Sequence, residues 1–140
     1  MSTTSRTNDG SDLDAYLDRV LPEPLRPLVI TLPAFRADFL NLVDELEDDL
    51  DLPAVVQALA GVVEEGVRTA SLDATELEVT GRALEELVVL LGEEATVVVG
   101  WSFLDALASP ARSTLSGFLG PRTQALAERI GPRPDLGPPR

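Results

Sequence analysis

The stretch FRADFLNLVDELEDDLDLP, residues 35–53, decides how the chain folds. At 100° per residue, Phe35, Phe39, Leu42, Val43, Leu46 and Leu50 fall within an arc of about 100°. Asp38, Asp44, Glu45, Glu47, Asp48, Asp49 and Asp51 all lie outside that arc. One face of a helix is therefore apolar enough to pack. The other carries six acids in the eight residues 44–51.

Carboxylates placed this way diverge around the helix axis. A calcium or magnesium site needs oxygens aimed at one point, usually from a loop, and no D-x-[DN]-x-[DN]-G spacing occurs. Paired catalytic carboxylates belong in a cleft, which an outward helix face does not provide. The cluster reads first as a solvated face. Its second reading is a surface for a basic partner, formed by Asp44, Glu45, Asp48, Asp49 and Asp51. Acids near a helix C-terminus also oppose the helix dipole. That cost keeps the binding reading in play.

The same 3.6-residue period recurs on both sides of this stretch. Leu13, Leu17, Val20 and Leu21 make a short stripe closed by Pro22. The segment LPEPLRPLVITLP, residues 21–33, holds prolines at 22, 24, 27 and 33 and reads as an extended connector. Its Pro24–Pro27 pair has PxxP spacing, but four prolines in a connector read as structural. A helix starts near Pro53 with Asp51 as its cap and Val55, Leu59, Val62 and Val63 inward. Asp73 and Glu76 have capping-box spacing ahead of a long helix with Leu77, Leu84, Leu87, Val88 and Leu91 inward. Gly81 shares that inward face, where a missing side chain admits a close neighbour, expected to be the Trp101 helix. Gly92 ends the helix.

Residues 93–108 read as a further helix, apolar over more than half its circumference through Val97, Val99, Trp101, Phe103, Leu104, Leu107 and Ala108. Such a helix belongs at the centre of a bundle, with Trp101 in the core. Ser109–Pro110 opens a helix with Leu115, Phe118 and Leu119 inward, Gly120–Pro121 breaks the chain, and a last helix ends at Gly131–Pro132. The expectation is an all-α fold: one compact bundle of about six helices over residues 12–131, with a solenoid-like antiparallel stacking open to it. Residues 1–11 read as a disordered leader and 132–140 as an extended Pro/Gly-rich tail.

Composition narrows the chemistry. The chain of 140 residues has no histidine and no cysteine, which removes the usual general base, the thiolate nucleophile and the common zinc ligands. GWSFL at 100–104 approaches the G-x-S-x-G elbow but has Leu104 in place of the last glycine, so Ser102 reads as a helix residue. There is no phosphate loop, and no lysine to serve one. No cofactor and no metal site are expected, and the protein reads as a non-enzyme.

Net charge is −13, unevenly distributed. Residues 1–109 carry six arginines against 22 acids, and residues 110–140 five arginines against two acids. The acidic body repels nucleic acid and anionic membranes and attracts basic proteins. Arg112, Arg122, Arg129 and Arg133 read as a strip that pairs with the chain's own acids. Arginine to the exclusion of lysine points to a GC-rich bacterial coding bias or to a high-salt cytoplasm. No signal peptide or membrane span is legible, and a cytoplasmic protein is expected.

Four segments carry a resemblance: FRADFLNLVDEL (35–46), LEELVVLLG (84–92), VVVGWSFLDAL (97–107) and STLSGFLGPRTQAL (113–126). Over residues 35–130 the chain resembles a bacterial family of small, uncharacterised helical proteins with an immunity-protein character. Leu119–Gly120–Pro121 matches the family's late turn well, and residues 101–105 match more loosely. The resemblance implies a helical scaffold that binds another protein and supplies no catalytic residues. The function expected is a non-catalytic acidic binding module, an immunity protein or antitoxin against a basic toxin. Self-association is compatible with it. A carrier or enzyme using carboxylates and arginines near Trp101 is the alternative, and a regulatory subunit with salt-adapted acidity is a third.

Overall fold

Proline sets where most of the helices begin. In the computed structural model, which describes residues 17–130, Pro24, Pro27, Pro33, Pro53, Pro110 and Pro121 each occupy the first turn of a helix or helical turn. There the missing N–H would have had no intrahelical partner, and the fixed φ suits the helix. The expected leader and tail, and Leu13, lie outside the described residues.

This use of proline corrects the connector expected at 21–33. A 3₁₀ turn at Glu23–Leu25 leads into α1, Arg26–Thr31, and α2 follows at once as Pro33–Leu46. Pro22 precedes the first turn, and Pro24, Pro27 and Pro33, three and six residues apart, each lie in a first turn, so none falls in a helix interior. Leu25, Leu28 and Leu32, spaced as a helical stripe, are buried. The stripe was present in the sequence but obscured by its prolines.

The chain continues through α3 (Leu52–Arg68), α4 (Ala74–Leu91), α5 (Thr96–Leu104), α6 (Ser109–Ser116) and α7 (Pro121–Ile130). The fold is all-α, and the described residues contain no strand. α2 and α3 form an antiparallel pair, since Ala34 and Asp38 share a hollow with Val62, Glu65 and Leu72. The core runs from Phe35 and Phe39 through Val55, Leu59 and Val63 to Phe103, Leu104 and Leu115. α3 is capped by Asp51, whose carboxylate accepts from Ala54 N–H at 3.0 Å. α4 opens with the reciprocal Asp73–Glu76 box, both bonds present at 2.8 and 2.9 Å.

α5 departs from the expected α-helix. It is π-wound, and the chain beyond it still bonds five residues back, Asp105 N–H to Gly100 C=O at 2.9 Å. This winding takes more than 3.6 residues per turn and redistributes the apolar side chains. Val98, Val99, Ser102, Phe103 and Leu104 turn inward. Val97 and Trp101 turn outward, 58% and 51% exposed. Trp101 is therefore not a core residue. The helix still packs against α3, α4 and α7, as its apolar content requires.

Gly81 does face inward, but its neighbour is not α5. A β-carbon there would lie 2.0 Å from the carbonyl oxygen of Phe118, in the turn after α6.

Candidate partner-binding surface

The acidic stretch is two structures joined by a turn. α2 stops at Leu46, four residues short of the expected continuous helix to Leu50. Glu47 adopts φ 47° and ψ −116°, its N–H bonds Val43 C=O, and a 3₁₀ turn at Glu47–Asp49 follows. Leu50 then dives into the core. Asp44 and Glu45 are exposed on the last turn of α2, and Glu47 and Asp49 on the 3₁₀ turn. Asp44, Glu45 and Asp49 form no ion pair with another described residue. Of the five residues assigned to the partner surface, Asp51 has a structural duty as the cap of α3. No group of three or more carboxylates converges to hold a metal among the described residues.

Upstream on α2 the surface changes character. A groove of about 350 Å³ lies between α1 and α2, lined by Val29, Ile30, Pro33, Arg36, Ala37 and Leu40. Ile30 is 85% exposed and Leu40 53%. This groove is not legible in the sequence, where the prolines of residues 21–33 read as a connector. Only the helical phase of Ile30 relative to Leu28 and Leu32 could have revealed it.

Two further acids are spent inward. Glu64 on α3 accepts from Ala108 N–H at 3.2 Å, at the start of α6. That helix begins one residue earlier than expected, with Ala108 rather than Ser109 at the cap position. Glu85 on α4 takes the start of α7: its oxygens accept from Thr123 N–H at 3.0 Å, Thr123 Oγ1–H at 2.9 Å and Arg122 N–H at 3.2 Å. Burial pushes the Glu85 carboxyl up, but the Thr123 bonds, the Arg122 N–H and the Arg122 charge together hold it below the ordinary 4.5. Gly120 makes room for this, since a β-carbon there would lie 2.5 Å from Glu85 Oε1. Both acids act as caps borrowed from another helix, satisfying N–H groups that the short helices leave open.

The arginines expected to form a strip have different partners. Arg122 reaches Glu85 at 4.0 Å, and Arg112 donates to Ala127 C=O at 3.0 Å. Arg133 lies outside the described residues. Arg122 and Arg129 line a second groove of about 660 Å³ with Val88, Val89 and Glu93. Trp101 is not among its lining residues, and Ser102 is buried within α5.

No helix among the described residues is long and apolar enough to cross a membrane. No family model, curated protein or solved structure matches the chain.

Proposed function

We propose that the protein is a non-catalytic, acidic binding module that captures a basic protein, in the manner of an immunity protein or antitoxin. One observation carries this reading. Asp44, Glu45 and Asp49 stand exposed at the C-terminal end of α2 and in the turn after it, with no ion pair to another described residue. Each such acid opposes the helix dipole at a cost of about 0.3–1 kcal/mol. Acids in that position do not serve the stability of the fold, whereas Glu64 and Glu85 do. With a net charge of −13, the field that draws a cationic partner extends well beyond this face.

The test is capture of a basic protein from lysate of the native host by the full chain. Wild type is compared with a variant carrying Asp44→Asn, Glu45→Gln, Asp48→Asn and Asp49→Asn. Asp51 stays, because it caps α3. The variant should keep its helical circular dichroism, and its fold is stabilised slightly by relief of repulsion. It should lose the captured protein, and wild-type association should slow as salt rises. Unfolding of the variant, or undiminished capture, overturns the reading.

The groove beside Arg122 and Arg129 favours a second reading, a carrier of a small apolar anion. Calorimetry with a fatty acid such as laurate separates the two, since only this reading expects binding that Arg129→Gln weakens.

A further inference from the structure

The outer side of α2 is not uniformly acidic. Pro33, Ala37, Leu40 and Asp44 fall within an arc of about 60°, opposite the buried Phe35–Phe39 face. Asp44 lies one turn beyond Leu40, about 6 Å along the axis. The α2 wall of the groove therefore leads, one turn on, to Asp44. Single exposed apolar residues are ordinary on a soluble surface. Here two of them, Ile30 at 85% and Leu40 at 53% exposure, flank a concave floor, and the exposed Asp44 follows Leu40 by one turn. An apolar centre with a charged margin is how protein interfaces divide anchoring from steering.

Accepting the acidic-face reading, we infer that the partner presents a basic amphipathic segment, whose apolar side chain seats in the Ile30–Leu40 groove while a cation one turn along it meets Asp44, at the near edge of the acidic end of α2. Charge complementarity selects this occupant: the acids demand cations, and the groove beside them rewards an apolar group. Arg36 is the one charge lining the groove. It sets the register, because a lysine or arginine placed opposite it is repelled. The groove supplies the holding contact, and the acids supply the approach.

The experiment uses fluorescence anisotropy with two labelled synthetic peptides of equal positive charge. One carries leucine and lysine at helical spacing, and in the other serine replaces every leucine. Each is titrated with the full chain as wild type, Ile30→Ser/Leu40→Ser, Asp44→Asn/Glu45→Gln, and Leu90→Ser. Leu90 is also exposed but lies on α4 and serves as a control for general stickiness. Wild type should bind the leucine peptide at least tenfold more tightly than the serine peptide. Ile30→Ser/Leu40→Ser should abolish that preference, the acid variant should weaken both peptides alike, and the α4 control should change neither.

Equal affinity of wild type for both peptides sinks this inference and leaves the acidic-face reading standing. If neither peptide binds, both fall together. A preference that survives Ile30→Ser/Leu40→Ser, or that the α4 control also removes, overturns the groove assignment. So does a wild-type dimer in sedimentation that Ile30→Ser/Leu40→Ser dissociates, because a second copy would then own the face.

Discussion

Residues 43–50 and 88–95 follow the same path with different chemistry. In each, a long helix ends with an N–H bonded four residues back, Glu47 to Val43 and Gly92 to Val88. The residue at that position has φ/ψ of 47°/−116° in the first and 61°/−122° in the second. A 3₁₀ turn follows, Glu47–Asp49 or Gly92–Glu94, and then a buried residue, Leu50 or Ala95. Glycine adopts this conformation freely, whereas a side chain there carries strain of about 1–3 kcal/mol. α4 has the residue its backbone asks for. α2 holds an acid in the same place. The contrast separates an end built for stability from one where charge is kept against the preference of the backbone.

The largest effect expected is at the other glycine of α4, and it calibrates the comparison. Gly81→Ala drives a methyl into the backbone carbonyl of Phe118, which cannot rotate away as a side-chain tip could. The loss should be about 3 kcal/mol and should grow with side-chain size, so Gly81→Leu is worse. Gly92 has open space around its missing β-carbon. Gly92→Ala should cost less, about 2 kcal/mol, and Gly92→Glu about the same, because only the dihedral matters. Denaturation midpoints of the four variants distinguish crowding from strain. A steep size dependence at Gly92 would erase the parallel with Glu47.

The all-α class, the long helices and the outward acids were legible because side-chain period reports them directly. Asp51 and the Asp73–Glu76 pair were equally clear, since caps are local. Three things were not. α1 was obscured by prolines that read as breakers but stand in first turns. Trp101 was assigned inward because a 3.6-residue wheel does not describe a π-wound segment. The break at Glu47 left no mark in composition, since the preferred residue there, glycine, is absent. The Ile30–Leu40 groove joins two helices, and it could not be anticipated while the first of them was taken for a connector. The roles of Glu64 and Glu85 arise from contacts 44 and 37–38 residues apart, which no local pattern encodes.

The C-terminal half of α4 is further distinguished by Glu85, which ties it to α7, whereas the acids ending α2 face solvent. Glu85→Ala should cost about 1.5 kcal/mol by leaving the α7 N–H groups without their acceptor. Its pH dependence follows from the lowered carboxyl. A group whose folded value is depressed contributes fully above the unfolded value, near 4.5, and loses that contribution as pH falls through the folded value. The stability gap between wild type and Glu85→Ala should therefore hold at neutral pH and close in acid. Urea titrations across that range measure it. A gap that widens on acidification would mean the neutral acid is the better cap.

The smallest effect asks most of the comparison. If Glu47 and Gly92 occupy equivalent positions, Glu47→Gly should stabilise the protein, by about 1 kcal/mol. Strain relief is offset in part by the greater freedom that glycine gives the unfolded chain. Glycine also removes one of the six negative charges at 44–51, so Glu47→Gln is the necessary partner measurement. Glutamine removes the charge and keeps the strained β-carbon, and glycine removes both. The difference between the two variants is the conformational cost alone. If glutamine stabilises as much as glycine, the backbone at residue 47 is unstrained and repulsion is the whole effect. If glycine alone stabilises, the charge at residue 47 costs the fold nothing, and the side chain at the end of α2 is held at a measurable conformational cost.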